Sequence, residues 1–162
     1  MIKNLIILLF LIIGIFGINK LSAQVLTGSV SAVPQSFYGT WRVSSKLVDT
    51  DSPLIFKENN VDLWNLSRLG DVITLSNPFN GAKADITIDS VSEGTVIFTK
   101  SGKYGNKNLT DVVEIKLSED TFAGTDTIKL DTYSDVNGKI IKTETAKYSV
   151  KGEKIAGSYN LE

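Results

Sequence analysis

The chain from Phe37 to Leu161 is cut by turn signals at short intervals, and no stretch between them carries helical periodicity. That pattern restricts the fold to short sequential strands. The breaks are Leu69-Gly70-Asp71, Asn77 to Gly81, Ser92-Glu93-Gly94, the Gly/Lys/Asn-rich Ser101 to Asn108, Ser118-Glu119-Asp120, Asp135 to Gly138 and Lys151-Gly152-Glu153. The Asn137-Gly138 pair suits the positive φ of a hairpin turn. The clearest strand is AKADITID, where Ala82, Ala84, Ile86 and Ile88 share one face and Lys83, Asp85, Thr87 and Asp89 the other. Such alternation marks a strand with one wet face. Strands are expected near 37–48, 61–68, 71–76, 82–90, 94–100, 109–118, 121–133, 138–151 and 154–161. The sequence therefore predicts an all-β fold, an antiparallel up-and-down meander of eight to nine strands. A meander this long exposes two edges unless it closes, and closure into a barrel removes both.

FYGTWRV, Phe37 to Val43, has two echoes in FAGTDTI from Phe122 and IAGSYNL from Ile155. In each an apolar anchor shares a face with a glycine, because residues two apart point the same way. The glycines are Gly39, Gly124 and Gly157, and the next residues on that face are Trp41, Asp126 and Tyr159. A glycine beside a large ring lets a strand coil at a narrowing barrel end. Gly39, Trp41, Gly124 and Gly157 are therefore assigned structural roles. Closure further predicts that the first and last strands pair antiparallel or join through a shared barrel floor, with Trp41 near Tyr159.

Gly39-Thr40-Trp41, early in a β-rich chain, resembles the Gly-x-Trp signature of lipocalins. Phe37 to Trp41 is similar to the Phe-x-Gly-Thr-Trp start of fatty-acid-binding proteins. The resemblance implies a lipocalin-like, calycin-type barrel over residues 37–162, with a small apolar ligand inside. It also implies that the tryptophan packs across the closed end under an arginine from the last strand. Arg42 and Arg68 are the only arginines, so Lys147, Lys151 or Lys154 would have to fill that place. No helix–turn–helix of the fatty-acid-binding type fits Thr50 to Asn60, which holds Pro53.

The first residues differ from the rest. Lys3 precedes an uncharged run, Leu5 to Ile18, shorter than a membrane span, and Ser22 and Ala23 are small. Residues 1–23 read as a secretory signal peptide cleaved after Ala23. Residues 24–36 then form an extended N-terminal arm with Pro34. Losing Lys3 and Lys20 leaves 15 basic against 18 acidic side chains. A cysteine-free, mildly acidic exported domain fits a bacterial periplasmic or secreted protein, without stable membrane insertion after cleavage.

The chain has no cysteine and no histidine, which excludes disulfides, thiol nucleophiles, imidazole bases and the usual zinc ligands. No metal and no cofactor is expected. A formal net charge of −1 gives no footprint for nucleic acid.

Two regions carry candidate binding residues. In WNLSR, Trp64, Leu66 and Arg68 alternate onto one face. Arg68 would either grip a ligand carboxylate or cover a core tryptophan by cation–π contact. In the late strands, Asp126 shares a face with Phe122 and Ile128, and Glu144 shares one with Lys142, Ala146 and Tyr148. Carboxylates on apolar faces either line a polar cavity mouth, with Tyr148 or Lys142 as partners, or belong to a hairpin that outruns the barrel. The candidate ligand-binding residues are Trp64, Arg68, Asp126, Glu144 and Tyr148. No catalytic residues are assigned, since the acids lie scattered through turns. The function expected is non-enzymatic binding of a small, partly apolar ligand inside the barrel. The alternative is a solid-core module that recognises a protein partner through its outer face or the 121–151 hairpin. Interior volume separates the two.

Overall fold

The structure, a computed structural model, describes residues 26–157. The expected signal peptide with its cleavage after Ala23, and the expected neighbour Tyr159, lie outside the described residues. Among the described residues no helix is long and apolar enough to cross a membrane.

The strands are β1 (Leu26–Thr27), β2 (Gly39–Thr50), β3 (Asn59–Leu69), β4 (Val72–Ser76), β5 (Lys83–Ser92), β6 (Thr95–Tyr104), β7 (Lys107–Ser118), β8 (Thr121–Tyr133) and β9 (Ile140–Ala156). From β2 to β9 each strand pairs antiparallel with the next, and β9 pairs back onto β2. The result is an eight-stranded up-and-down ring of hydrogen bonds, with β1 added on β5 through Leu26↔Val91 and Thr27↔Ser90. Closure satisfies backbone donors and acceptors that an open meander would leave at its edges.

The hairpins are tight. Leu69↔Val72, Ser92↔Thr95, Tyr104↔Lys107 and Ser118↔Thr121 are each joined by two residues. Gly70, Glu93, Gly94, Gly105 and Glu119 supply the positive φ that these turns need. Ser101 to Asn108 is therefore mostly strand rather than loop. The Asn137-Gly138 turn belongs to a longer connection, in which the Gly138 amide donates to the Ser134 carbonyl.

The last two expected strands are one. β9 runs without a break through Lys151-Gly152-Glu153, where a turn was expected, and Gly152 pairs with Val43 on one side and Phe122 on the other. A Cβ on Gly152 would lie 2.1 Å from Cε1 of Phe122. This glycine makes room for a ring and does not turn the chain.

Alternation fills the ring. On β5, Ile86 and Ile88 are buried while Lys83, Asp85, Thr87 and Asp89 are exposed. One end is stoppered by the chain before β2. There, two 3-10 turns (Val30–Ala32 and Gln35–Phe37) carry the part of the segment expected as an extended arm, and Val33, Phe37 and Tyr38 are buried. Aromatic rings rise from this stopper. Phe37 meets Phe98 edge-on at 5.7 Å, Trp41 lies 5.1 Å from Phe122, and Trp64 stacks on Phe122 at 5.9 Å. Trp41 is fully buried, and its indole N–H donates to the Phe37 carbonyl at 3.0 Å. Of the three late lysines considered above, Lys154 takes the place over it. Its Nζ lies 4.7 Å from the Trp41 ring centroid and donates to the Ser36 carbonyl at 2.7 Å.

The glycine of FYGTWRV now has its cause. Gly39 has φ +126°, and a Cβ there would lie 2.7 Å from the carbonyl oxygens of Ala156 and Gly157. The β2–β9 seam closes too tightly there for a side chain, and its register shifts between Thr40 and Trp41. Gly124 stands in a similar squeeze, with the Glu114 carbonyl oxygen 1.9 Å from its missing Cβ. Crowding at both positions comes from backbone rather than from rings. Gly157 has no described atom within 4 Å of such a Cβ.

Candidate ligand-binding site

Polar side chains take over the interior above Trp64. The same inward alternation that places Phe98 on β6, Val113 on β7 and Phe122 on β8 continues to Lys100, Asp111 and Asp126. Lys100 and Asp111 are direct cross-strand partners. Asp126 sits opposite Val113 on one side and Tyr148 on the other. These groups, with Trp64, Asp62 and Ile128, line a cavity of about 370 Å³ at the end away from the stopper. Phe56 and Lys57 of the β2–β3 connection close over part of it. The Tyr148 hydroxyl donates to the Lys57 carbonyl at 2.9 Å and holds that connection in place.

The cavity's electrostatics follow from burial. Lys100 and Asp111 form an ion pair through Nζ and Oδ2. Burial works against the Lys100 charge. Asp111, by charge and hydrogen bond, and Asp126, by charge, outweigh it and raise the ammonium's pKa. Asp126 is less well served. Burial, then the Asp111 charge, push its carboxyl up to about 7, against the opposing pull of Lys100. Burial, and then the Asp126 charge, also raise the Tyr148 phenol. Asp111 Oδ1 and Asp126 Oδ1 are buried with no hydrogen-bond partner among the described residues. Asp62, by contrast, accepts from the Asn77 side-chain amide and from the Leu63 N–H.

Trp64, Asp126 and Tyr148 thus come together at the cavity. Arg68 and Glu144 lie elsewhere. Arg68 is near the stoppered end, where Nε donates to the Gly70 carbonyl at 2.6 Å and Asp71 lies 3.9 Å away. Its guanidinium lowers the Tyr38 phenol, although burial raises that group more. Neither tryptophan lies under Arg68; the cation over Trp41 is Lys154. Glu144 is inward-facing at the open rim and accepts from Lys142 at 2.6 Å, which holds its carboxyl below the usual range. Asp126 and Glu144 are 7% and 2% exposed, so this part of the β8–β9 hairpin is not solvated on both faces.

Lys100 and Asp111 were missed from the sequence, though a signal existed. Val96, Phe98 and Lys100 share a face, as do Asp111, Val113 and Ile115. Each is a charge that continues an apolar face, the same pattern that drew attention to Asp126.

No family model matches the chain, and no curated protein and no solved structure matches it either.

A second hollow, about 520 Å³, opens at the stoppered end around Leu117, Phe122 and Gly152. The two buried carboxylate oxygens without partners belong to residues of the other cavity.

Proposed function

We propose that this is an exported lipocalin-like protein that holds a small, partly apolar molecule inside the barrel without transforming it. The observation that carries the reading is the unfilled upper interior. A barrel of this size can be packed solid with side chains, and below Trp64 the interior holds buried apolar side chains such as Trp41, Leu66 and Phe98. Above Trp64 it leaves about 370 Å³ between an aromatic floor and charged walls. Ligand pockets are commonly of about 300–1,000 Å³, mostly apolar with a few convergent polar groups. Lys154 over Trp41 supports the lipocalin likeness, since it puts a late basic side chain where that family carries an arginine. Export rests on the pattern of residues 1–23.

Native mass spectrometry of gently purified protein tests the reading. A bound small molecule that is recovered unchanged supports it. Unliganded protein that takes up nothing from a mixed metabolite extract overturns it. Because Asp111 and Asp126 share one cavity, conversion of the bound molecule on incubation would favour an acid–base enzyme instead.

One observation favours the second reading, a protein-recognition module. Leu54, Phe79 and Val136, on three connections at the open end, are 99%, 84% and 95% exposed. A partner docking there would cover the cavity mouth.

A further inference from the structure

We propose that the cavity takes a small organic cation, a protonated amine on a compact apolar or aromatic body, with its ammonium group between Asp126 and Asp111. This rests on the reading of the barrel as a small-molecule binder and names the class of its ligand.

The two carboxylates are 7% and 2% exposed, and each keeps one oxygen buried without a donor among the described residues. They project from neighbouring strands. Asp111 pairs with Ile128, so Asp126 is one same-face step along β8. Lys100 bonds Asp111 through Oδ2 and acts on Asp126 through its charge. One ammonium therefore serves two buried acids. A buried acceptor without a donor is costly, and buried polar groups in folded proteins are almost always satisfied. A ligand that brings N–H donors and a positive charge would remove that cost on both sides.

Other ligand classes fit less well. The lining holds Asp62, Asp111 and Asp126 against Lys57 and Lys100, so the cavity carries an excess of negative charge when all are ionised. An anion would have to displace Asp111 from Lys100 against that excess. A neutral alcohol offers one donor and no charge. An ammonium offers three donors, and charge-assisted hydrogen bonds are about twice as strong as neutral ones. The rest of the site suits the body of such a molecule. Trp64 forms the floor, Ile128 and Phe56 the sides, and Tyr148 stands beside Asp126. Cations near aromatic faces gain further attraction. The volume is near the low end for ligand pockets, which suits a single-ring amine.

Three probes with matched bodies test this: 2-phenylethylamine, 2-phenylethanol and phenylacetate, titrated calorimetrically into the purified protein. At about pH 8 the amine should bind at least about tenfold more tightly than the alcohol. That advantage should shrink towards about pH 5.5, because Asp126 takes up a proton while the amine keeps its own. The titratable groups that line the cavity with Asp126 are Asp62 on β3, Lys100 on β6, Asp111 on β7, Tyr148 on β9 and Lys57 on the connection. Asp126→Asn should abolish the amine's advantage over the alcohol. Equal affinities for amine and alcohol, or tightest binding of phenylacetate, would overturn the inference and leave the binder reading standing. An amine advantage retained in a natively folded Asp126→Asn protein would also overturn it. If that variant does not fold, an advantage in the wild type that is independent of pH overturns it. If none of the probes binds, the inference fails, and the binder reading is then decided separately by native mass spectrometry.

Discussion

Asp126 and Tyr148 stand directly opposite one another on the β8–β9 ladder, yet the Tyr148 hydroxyl donates to the Lys57 carbonyl at 2.9 Å and not to Asp126. Two consequences follow from where that proton goes. The β2–β3 connection is tied down over the cavity, and Asp126 Oδ1 is left without a donor inside the barrel. The most natural local partner for the buried acid is thus spent on the backbone.

Tyr148→Phe separates these consequences. Losing the hydroxyl frees the Lys57 carbonyl, and the net cost of one such bond is about 1 kcal/mol. Amide hydrogen exchange should accelerate around Ile55 to Glu58, where the connection loses its tie. The Asp126 carboxyl should still titrate near 7, because the phenol gives it no hydrogen bond. Carbon-detected NMR of the carboxyl group reads this directly. A clear rise in its midpoint would mean that Tyr148 had been its donor.

Asp126 also sets a pH dependence of stability. Its folded pKa, about 7, lies above the unfolded value near 3.9, so the folded state holds the proton more tightly. Between those values the unfolded chain binds fewer protons, and stability falls as pH rises. The effect of this one group is a few kcal/mol, complete above its folded pKa. Asp51, Asp131 and Glu144 act in the opposite sense. Thr145 hydrogen bonds, Lys129 and Lys142, respectively, depress these acids, and their contribution is lost as pH falls through their folded pKa values. Stability should therefore peak in mildly acidic solution and decline towards about pH 8. Asp126→Asn should remove the decline and be more stable than wild type at about pH 8. Urea melts at several pH values check this; an unchanged slope in the variant would refute it.

Much of the fold could be read from the chain because period-two alternation and turn chemistry act locally. AKADITID gave the inner and outer faces of β5, and β2, the first strand of the meander, pairs with β9, its last, as closure requires. The errors came where a residue's role depends on distant atoms. Gly152 looked like a turn because its neighbour in space, Phe122, lies thirty positions away in the chain. Arg68 shares a face with Trp64, yet β3 carries it away from the cavity towards Gly70. Trp64, Asp126 and Tyr148 could be named from alternation alone. Their convergence with Lys100 and Asp111 depended on the ring that brings β3 and β6–β9 around one space.

The Trp41–Lys154 contact divides into two parts of different size. Trp41→Ala empties a fully buried site against Phe122 and should cost about 3–5 kcal/mol. Lys154→Met keeps the apolar stem but loses the cation and the bond to Ser36, for about 1–2 kcal/mol. Denaturant midpoints should fall in that order. A Trp41→Ala protein with the wild-type midpoint would remove the indole from the barrel's floor.

Gly124 and Gly152 should respond differently to the same added methyl group. At Gly152 the methyl meets the Phe122 ring, which is held between Trp41 and Trp64 and has little freedom to move. Overpacking of this kind costs about 1–3 kcal/mol, and shortening the obstructing side chain relieves it. Gly152→Ala with Phe122→Leu should therefore be more stable than the sum of the two single changes predicts. At Gly124 the obstacle is the Glu114 carbonyl, part of the β7–β8 ladder itself. No side-chain change opens that space, so Gly124→Ala should cost more than Gly152→Ala and gain nothing from Phe122→Leu. Chemical denaturation of the wild type, the three single variants and the two double variants gives both coupling energies. Equal coupling at the two glycines would show that the ring does not fill the space beside Gly152.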